Sequence, residues 1–307
     1  MNQSFIIGTC DGMCPTEQIT ERIANKDFHF LECVTGTTSP HRIPIPEKFI
    51  KKYERSAASK RFLPETVRTE TGLALSITIL FRHFSEWYPN EAEIYPFLHD
   101  RIRAIHSDVL LQRLYSPQTS NILEQSIIIL LLSQQSASIR KDFDWKSHNA
   151  LLQQLFLTDY DIVSHLICTE PSSVTRTNRL FISYTLLFFS QNTESSVFFL
   201  RSVSPCVLRT QELQLGILFL DSLLTQNYYR IVSLIQLSRD PLLHILLSDR
   251  LNNLYRSTCS LLKPPHSQSS LLQQKHSPEI ESLPSPHCMT SPSVEEVYDY
   301  YSLRTNE

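Results

Sequence analysis

The chain has 307 residues, 41% of them hydrophobic, which is enough for one large or two medium domains with a buried core. Only 5 glycines occur, whereas average usage would give roughly 20. Phosphate-binding loops, tight hairpins and bulges all need glycine, so this composition disfavours nucleotide-binding and all-β folds and favours helices. The net charge is −3, and any affinity for nucleic acid must therefore come from a local patch.

The cysteines and the apolar runs indicate the expected compartment. Seven cysteines are scattered along the chain, and the apolar stretch Phe5-Ile6-Ile7 is too short for a secretory signal. We therefore expect a reducing compartment without a disulfide framework. The longest apolar run, residues 127–132, is far shorter than the roughly 20 residues that cross a bilayer, so we expect no membrane partner.

The N-terminal segment at residues 8–15 reads GTCDGMCP and supports two interpretations. Pro15 suits the first position of a helix, because its missing N–H costs nothing there, and Cys14 would then be the N-cap. Alternatively, the cysteine pair begins a zinc site. The four ligands would be Cys10, Cys14, His29 and Cys33. Zinc sites more often place two residues between paired cysteines, not three, so we expect no metal and a helix that continues to about residue 34.

Residues 47–61 form the most basic window of the chain, with six basic and two acidic residues. Phe49 and Tyr53 are interleaved at a spacing of four. The window is either a phosphate-binding patch for single-stranded RNA or the solvated face of a helix whose two aromatic side chains pack inward. The cations of the patch would be Lys48, Lys51, Lys52, Arg55, Lys60, Arg61 and, from a later helix, Arg103.

Two amphipathic helices follow, over residues 71–88 and 91–114. Their apolar positions recur every three or four residues, as on one face of a helix. These positions are Leu73, Ile77, Leu80 and Phe84, then Leu98, Ile102, Ile105 and Val109. His99, Arg103 and His106 lie on an adjacent face of the second helix. They either bind a phosphate or form the polar flank of the core stripe.

Beyond residue 121, long apolar helices alternate with short polar breaks. We predict helices over residues 121–134, 145–157, 179–190, 193–202, 211–224, 231–237 and 241–262. This repetition predicts an all-α fold, an irregular α-solenoid of antiparallel helical hairpins. The three predicted regions are a motif-bearing region at 1–118, a helical-repeat region at 119–262 and a disordered Pro/Ser-rich tail at 263–307.

The sequence carries no motif of a known catalytic class. The patterns G-x-S-x-G and H-E-x-x-H and the Walker phosphate loop are all missing. Eleven histidines make chance pairings with cysteine easy, and none of them stands in a recognisable motif. We therefore expect a protein that is not an enzyme and that needs no cofactor.

Four segments occur in an order and spacing that resembles the suppressor-of-actin/GANP domain family of mRNA-export scaffolds. They are residues 8–15 (GTCDGMCP), 52–58 (KYERSAA), 63–68 (LPETVR) and 97–108 (FLHDRIRAIHSD). Residues 227–230 (NYYR) are similar to a further turn of the family, and the resemblance covers about residues 5–260. The matching motif residues are Cys10, Met13, Cys14, Pro15, Arg22, Tyr53, Arg55, Pro64, Arg68, Asp100, Arg101, Arg103 and Asp108.

The resemblance implies a scaffold of PCI-like helical repeats that ends in a winged helix. Large members organise the second transcription–export (TREX) complex at the nuclear pore. There the domain binds a PCI-domain protein and a small acidic proteasome-lid-type subunit, and the joint surface contacts RNA. Short members are linked to centrosome duplication and spindle assembly. Because this chain begins just before the Met-Cys-Pro motif, it looks like a short member, expected in the nucleus and cytoplasm and at the centrosome or spindle.

The chain departs from the family pattern at three places. Gln18 and Ile19 replace a Glu-Arg pair. His106 replaces an arginine, and we expect it to be sensitive to pH near the reference pKa of about 6.5. Pro/Ser-rich sequence stands where the winged helix should follow, so we expect this chain to lack that module.

Overall fold

The computed structural model of the chain describes residues 6–36, 41–54, 63–88, 93–137, 143–190, 192–238 and 240–262. Within them the fold is all-α and solenoid-like, as predicted. The helices are α1 (Thr16–Ala24), α2 (Glu70–Trp87), α3 (Tyr95–Gln112), α4 (Pro117–Ala137), α5 (Trp145–Thr169), α6 (Arg176–Phe189), α7 (Thr193–Ser202), α8 (Pro205–Leu208), α9 (Gln211–Leu224), α10 (Tyr228–Ser238) and α11 (Pro241–Leu262). Among the described residues, no helix combines the length and the apolar character needed to cross a membrane. The tail that we predict to be disordered, residues 263–307, lies outside these ranges.

The first helix is much shorter than the sequence predicts. α1 ends at Ala24 rather than near residue 34. Lys26 adopts a left-handed backbone conformation, with φ of 53°, through which a right-handed helix cannot continue. Pro15 precedes the helix as its N-cap instead of occupying its first position. A single 3₁₀ turn at Phe30–Glu32 follows.

The described part of the basic window does not form the helix that one interpretation required. Pro46–Lys48 is a single 3₁₀ turn, and residues 49–54, which we call the extended segment, contain no helical turn. Pro44 and Pro46 lack the N–H group that a helix interior needs. The Phe49 side chain is nevertheless buried, so its expected inward packing is observed on a different backbone.

The chain forms two compact units, of which the first extends to Ile182 and the second begins at Ser183. In the first unit, α4 packs mainly against α2 and α5. The apolar run of α4, residues 127–132, is buried throughout, and burying each such side chain contributes roughly 1.5–3 kcal/mol relative to exposure. The predicted boundary after residue 118 therefore lies inside the first unit.

Helix α5 continues well beyond its predicted end at residue 157. The polar stretch at residues 158–161 looks like a break in the sequence, yet the helix continues to Thr169. Asp159 lies fully buried in the middle of this helix. Carboxylates are rarely buried unless they have partners, which is why the stretch resembles a solvated helix end.

In the second unit, neighbouring helices along the chain are neighbours in space. α9 packs against α10, and α10 packs against α11. The bounds of α7, α9 and α11 are those predicted. Gly216 of α9 permits a close approach, because an added Cβ would lie 3.0 Å from the Cβ of Ser183. The Tyr184 hydroxyl donates a hydrogen bond to Asp240, just before α11.

A close backbone contact fixes the start of α2 against the N-terminal segment. The Thr69 side chain accepts from the Gly72 N–H at 3.3 Å and donates to the Asp11 carboxylate at 2.8 Å. The Thr69 N–H donates to the Cys10 carbonyl at 2.9 Å. A Cβ added to Gly72 would lie 2.7 Å from the Gly12 carbonyl oxygen and 2.9 Å from that of Cys10. Only glycine therefore allows the helix to begin here.

We predict that Gly72→Ala destabilises the protein by about 1–3 kcal/mol, as expected when a side chain is forced into filled space. Helix propensity alone predicts the opposite, since alanine is favoured over glycine by roughly 1 kcal/mol within a helix. Urea unfolding followed by circular dichroism measures the change. Gly12→Ala is the matched control, because its Cβ would meet its nearest atom at an ordinary 3.6 Å. Equal stability of the wild type and Gly72→Ala would contradict the close approach.

Candidate functional site

Backbone hydrogen bonds join the N-terminal motif to the segments that follow it. The Cys10 N–H donates to the Val67 carbonyl at 3.1 Å, and the Lys51 N–H donates to the Met13 carbonyl at 3.0 Å. The fourth motif segment, residues 97–108, belongs to α3, and its Asp108 contacts Lys51 and Arg68. Motif residues that are far apart in the sequence therefore meet in the first unit.

Asp108 of α3 is the centre of the first of two buried ion clusters. Its Oδ1 accepts from the Lys51 Nζ at 2.6 Å, and its Oδ2 accepts from the Arg68 Nε at 2.8 Å. The Lys51 ammonium also donates to the Thr66 carbonyl at 2.6 Å, and an Arg68 Nη donates to the Ser76 Oγ at 3.1 Å. Arg68 is 0% exposed, so its charge is balanced by protein groups alone. We call this group of residues the Asp108 cluster.

Glu32, in the 3₁₀ turn after α1, is the centre of the second group, the Glu32 cluster. Its carboxylate accepts from the guanidinium groups of Arg22 and Arg101. The backbone N–H groups of His29 and Ile50 donate to it at 2.9 and 3.2 Å. The three charged side chains are at most 4% exposed. Charge-assisted hydrogen bonds are the strong ones in proteins, and these connect α1, the extended segment and α3.

Aromatic rings cover the two guanidinium groups of the Glu32 cluster and that of a third arginine, on α3. The three pairs are Arg22 over Phe49 at 4.6 Å, Arg101 over Phe97 at 4.6 Å and Arg103 over Tyr53 at 4.0 Å, measured to the ring centroid. Such pairs contribute roughly 0.5–2 kcal/mol, with the larger values where water is excluded. The rings therefore hold the two arginines that bind Glu32 in one orientation.

The two clusters contain more buried positive charge than buried negative charge. The buried cations are Arg22, Lys51, Arg68 and Arg101, and the buried carboxylates are Glu32 and Asp108. The more exposed Asp100 adds a further contact to Arg101. Removing Asp108 would leave Lys51 and Arg68 in the core without a counter-charge, and removing Glu32 would leave Arg22 without one. Either change costs far more than losing a surface pair. The charged motif residues of the two clusters therefore pair with groups inside the protein and stabilise the first unit.

The thiols of the N-terminal segment point to separate acceptors, so the described residues do not support the zinc hypothesis. Cys14 donates to the Gln18 Oε1 at 3.1 Å, whereas Cys33 donates to the His29 carbonyl at 3.3 Å and Cys10 to a nearby carbonyl. Within the described ranges, no three His, Cys, Asp or Glu side chains converge as metal ligands. Burial raises the pKa of the Cys14 thiol to about 11, and a neutral thiol is a poor ligand and nucleophile.

Lys51 does not belong to a solvent-facing basic patch. Its ammonium is in the Asp108 cluster, where Asp108 and the Thr66 carbonyl accept its hydrogen bonds. The side chain is only 10% exposed, and both of its hydrogen bonds go to protein groups. The structure gives Lys51 a structural contact, and its role in RNA binding stays a prediction.

The other predicted patch cations are largely engaged within the protein. Lys52 donates to both carboxylate oxygens of Asp27, at 2.7 and 3.0 Å. The Lys48 Nζ contacts a backbone carbonyl at 3.5 Å, and Arg103 lies over the Tyr53 ring. The remaining three, Arg55, Lys60 and Arg61, lie outside the described residues. The described cations therefore do not form a continuous surface for phosphates.

The histidines of α3 pack inward instead of forming a phosphate site. His106 is 5% exposed, and its Nε2 is 2.9 Å from the Thr158 Oγ1. Burial lowers the pKa of His106 to about 4, so the expected sensitivity near pH 6.5 is wrong. Burial also lowers the pKa of His99, whose ring packs against Tyr95. The second interpretation, a polar flank that joins the core, is the one the structure supports.

Three residues of the site were not identified from the sequence, although one of them belongs to a local pattern. Glu32 forms a capping box with His29, and this spacing is a recognisable pattern of helix starts. Gln18 accepts from the Lys52 N–H at 3.0 Å, and Gln112 donates to the Arg68 carbonyl at 2.8 Å. These glutamine partners lie 34 and 44 positions away, so no local pattern could identify them.

An all-α fold whose charged motif residues form ion pairs in the core is that of a helical scaffold. The chain belongs to the SAC3/GANP family, whose sequence model matches residues 13–305. It is 30% identical over 132 residues to SAC3 family protein B of Arabidopsis thaliana. That alignment covers 42% of this chain and 7% of the relative, so the chain spans a small part of that protein's length. The resemblance carried by the four motif segments is confirmed.

We predict that Asp108→Ala destabilises the protein by about 3–5 kcal/mol, because Lys51 and Arg68 would remain buried without a counter-charge. Urea unfolding measures the loss. The matched control is Asp27→Ala, which removes an exposed partner of Lys52 and should cost at most about 1 kcal/mol. Losses of similar size in the two variants would contradict the assigned importance of the Asp108 cluster.

We predict that His106 lowers the stability of the protein as the pH falls from about 6.5 to 4. The unfolded state binds a proton at this side chain below about pH 6.5, whereas the folded state binds it only near pH 4. The free energy of unfolding therefore falls by up to about 1.4 kcal/mol per pH unit in this window. His106→Gln should remove this part of the pH dependence in urea unfolding. The exposed His165→Gln is the control, and an unchanged slope in His106→Gln would refute the prediction.

Proposed function

We propose that this protein is a non-enzymatic helical scaffold that acts in nuclear mRNA export, within a transcription–export (TREX) complex. We further propose a role in centrosome duplication and spindle assembly, as the resemblance to short family members implies. The observation that carries the scaffold role is how the motif residues are used. Arg22, Arg68, Arg101 and Asp108 form buried ion pairs in the Asp108 and Glu32 clusters and so fix the backbone of the first unit.

The chemistry of the clusters favours a scaffold over an enzyme. A catalytic carboxylate must reach a substrate in a cleft, whereas Glu32 and Asp108 contact protein cations and are almost fully buried. The pKa shifts of Cys14 and His106 follow mainly from burial and favour neutral, packed side chains. These features support a protein that acts through its surface.

We propose two partners, a PCI-domain protein and a small acidic proteasome-lid-type subunit. Membership of the SAC3/GANP family supports this choice, and stacked helices provide the extended surfaces that helical-repeat proteins use for binding. RNA contact by the joint surface is part of the proposal, whereas binding by the basic window alone is not, since Lys51 is buried and Lys52 is bonded to Asp27. We place the protein in the nucleus and cytoplasm, and at the centrosome or spindle.

Affinity capture of the tagged full chain from cells tests the proposed partners. We expect the PCI-domain protein and the small acidic subunit to be recovered together. Asp27→Ala should retain both partners, whereas Asp108→Ala should lose them because its first unit is destabilised. Recovery of neither these partners nor centrosomal proteins would contradict the scaffold assignment.

Depletion of the protein separates the two proposed roles. An export role predicts that polyadenylated RNA accumulates in the nucleus, as measured by in situ hybridisation. A centrosomal role predicts abnormal centrosome numbers and spindles in dividing cells. A wild-type copy and the Asp27→Ala variant should both restore the normal state.

A further inference from the structure

The first unit also contains a pair of buried carboxyl groups that belongs to neither ion cluster. Glu124 of α4 and Asp159 of α5 are 4% and 0% exposed. The two side chains share contacts with Ser120 and lie beside Asn178 at the start of α6. Two carboxylates that are buried together without a cation repel each other, so both cannot be ionised at low cost.

The contacts of Ser120 with the two acids indicate that one of the acids carries a hydrogen. The Ser120 Oγ lies 2.7 Å from the Asp159 Oδ1 and 3.3 Å from the Glu124 Oε1. A serine hydroxyl has one hydrogen to donate, so it can serve only one of these two oxygens. The other oxygen must itself carry a hydrogen if both contacts are hydrogen bonds.

The surroundings of the two acids indicate which of them carries that hydrogen. The Asn178 Nδ2 donates to the Glu124 Oε1 at 2.7 Å, which favours the ionised form of Glu124. The Asp159 Oδ2 has no hydrogen-bond partner within the described ranges, and an ionised group in this position would be costly. The hydrogen-bond arrangement that agrees with both observations has the Asp159 O–H donating to the Ser120 Oγ and the Ser120 O–H donating to Glu124.

Charged and titratable groups on the helices around the pair have other partners. Glu70 of α2 binds Thr119, His106 of α3 binds Thr158, Asp161 of α5 binds Tyr115, and Arg179 of α6 donates to the Val174 carbonyl. None of the described cations forms an ion pair with either acid, and burial is the largest cause of the raised pKa of both. The pKa of Glu124 is raised to about 7. Burial raises the pKa of Asp159 well above its usual range, and the Glu124 charge adds to this increase.

We propose that the folded protein keeps a proton on Asp159 at neutral pH, hydrogen-bonded through Ser120 to Glu124, and that loss of protons from this pair loosens the packing of α4, α5 and the start of α6. In the unfolded chain both acids release their protons near pH 4. The folded state therefore binds more protons than the unfolded state above that pH, and stability falls as the pH rises. The sign is opposite to that of His106, so the two effects can be separated.

Infrared spectroscopy of the full chain detects the proton directly, because a carboxylic acid and a carboxylate absorb at different frequencies. The wild type should show the acid band at neutral pH and should lose it as the pH rises. Asp159→Asn should remove most of this band. Asp161→Asn, an exposed position on the same helix, should keep it. A wild-type spectrum without an acid band at neutral pH would overturn the proposal, whether or not the variants fold.

Urea unfolding between about pH 7.5 and 8.5 measures the coupling to stability, in a window where His106 is neutral in the folded state and at least about nine-tenths neutral in the unfolded state. The unfolding equilibrium constant of the wild type should increase by up to about tenfold per pH unit for each acid that retains its proton in the folded state. Glu124→Gln and Asp159→Asn should each show a smaller increase, and Asp161→Asn should match the wild type. The same increase in all four proteins would also overturn the proposal.

Discussion

A buried cation needs a counter-charge or hydrogen-bond acceptors where it lies, and in the first unit each of two buried carboxylates serves two cations. Glu32 and Asp108 each accept hydrogen bonds from two cationic side chains on different segments. Each carboxylate therefore fixes the position of several pieces of backbone at once. The consequence is that the described parts of the irregular stretch between α1 and α2, residues 25–36, 41–54 and 63–69, have a defined structure, although they contain few of the hydrogen bonds that stabilise a helix.

The helices could be predicted where the signal is local. The apolar stripes of α2 and α3 follow the period of a helix, and apolar spacing alone predicts them. The bounds of α7, α9 and α11 were predicted correctly because polar residues flank each apolar stretch. The early end of α1 could not be predicted. Lys26 ends the helical path in a left-handed conformation, and the Arg22 guanidinium binds the Asp27 carbonyl and Glu32. It also binds the Ile50 carbonyl, 28 positions away, and a contact at that distance leaves no local pattern.

The candidate site shows the same limit more clearly. The motif residues were identified from their order, but a lysine in a basic window gives no indication of whether it faces solvent or Asp108. His106 likewise looks polar, and only its packing against α5 shows that it is a neutral core residue. The polar stretch at residues 158–161 is instructive, because Thr158, Asp159 and Asp161 bind His106, Ser120 and Tyr115 in turn. What resembles a helix end is a row of tertiary contacts.

The spacing of the ion pairs along the chain has a consequence for biosynthesis. Glu32 meets Arg101 across 69 positions, and Lys51 meets Asp108 across 57. At the usual rates of translation, roughly 3–14 s separate the appearance of the two halves of such a pair. During that interval Glu32 and Lys51 have been made, but their partners on α3 have not, and Glu32 has only the nearby Arg22 as a charged partner. The beginning of the chain is therefore among the first parts to be made, but its charge pairs are complete only once α3 has been made.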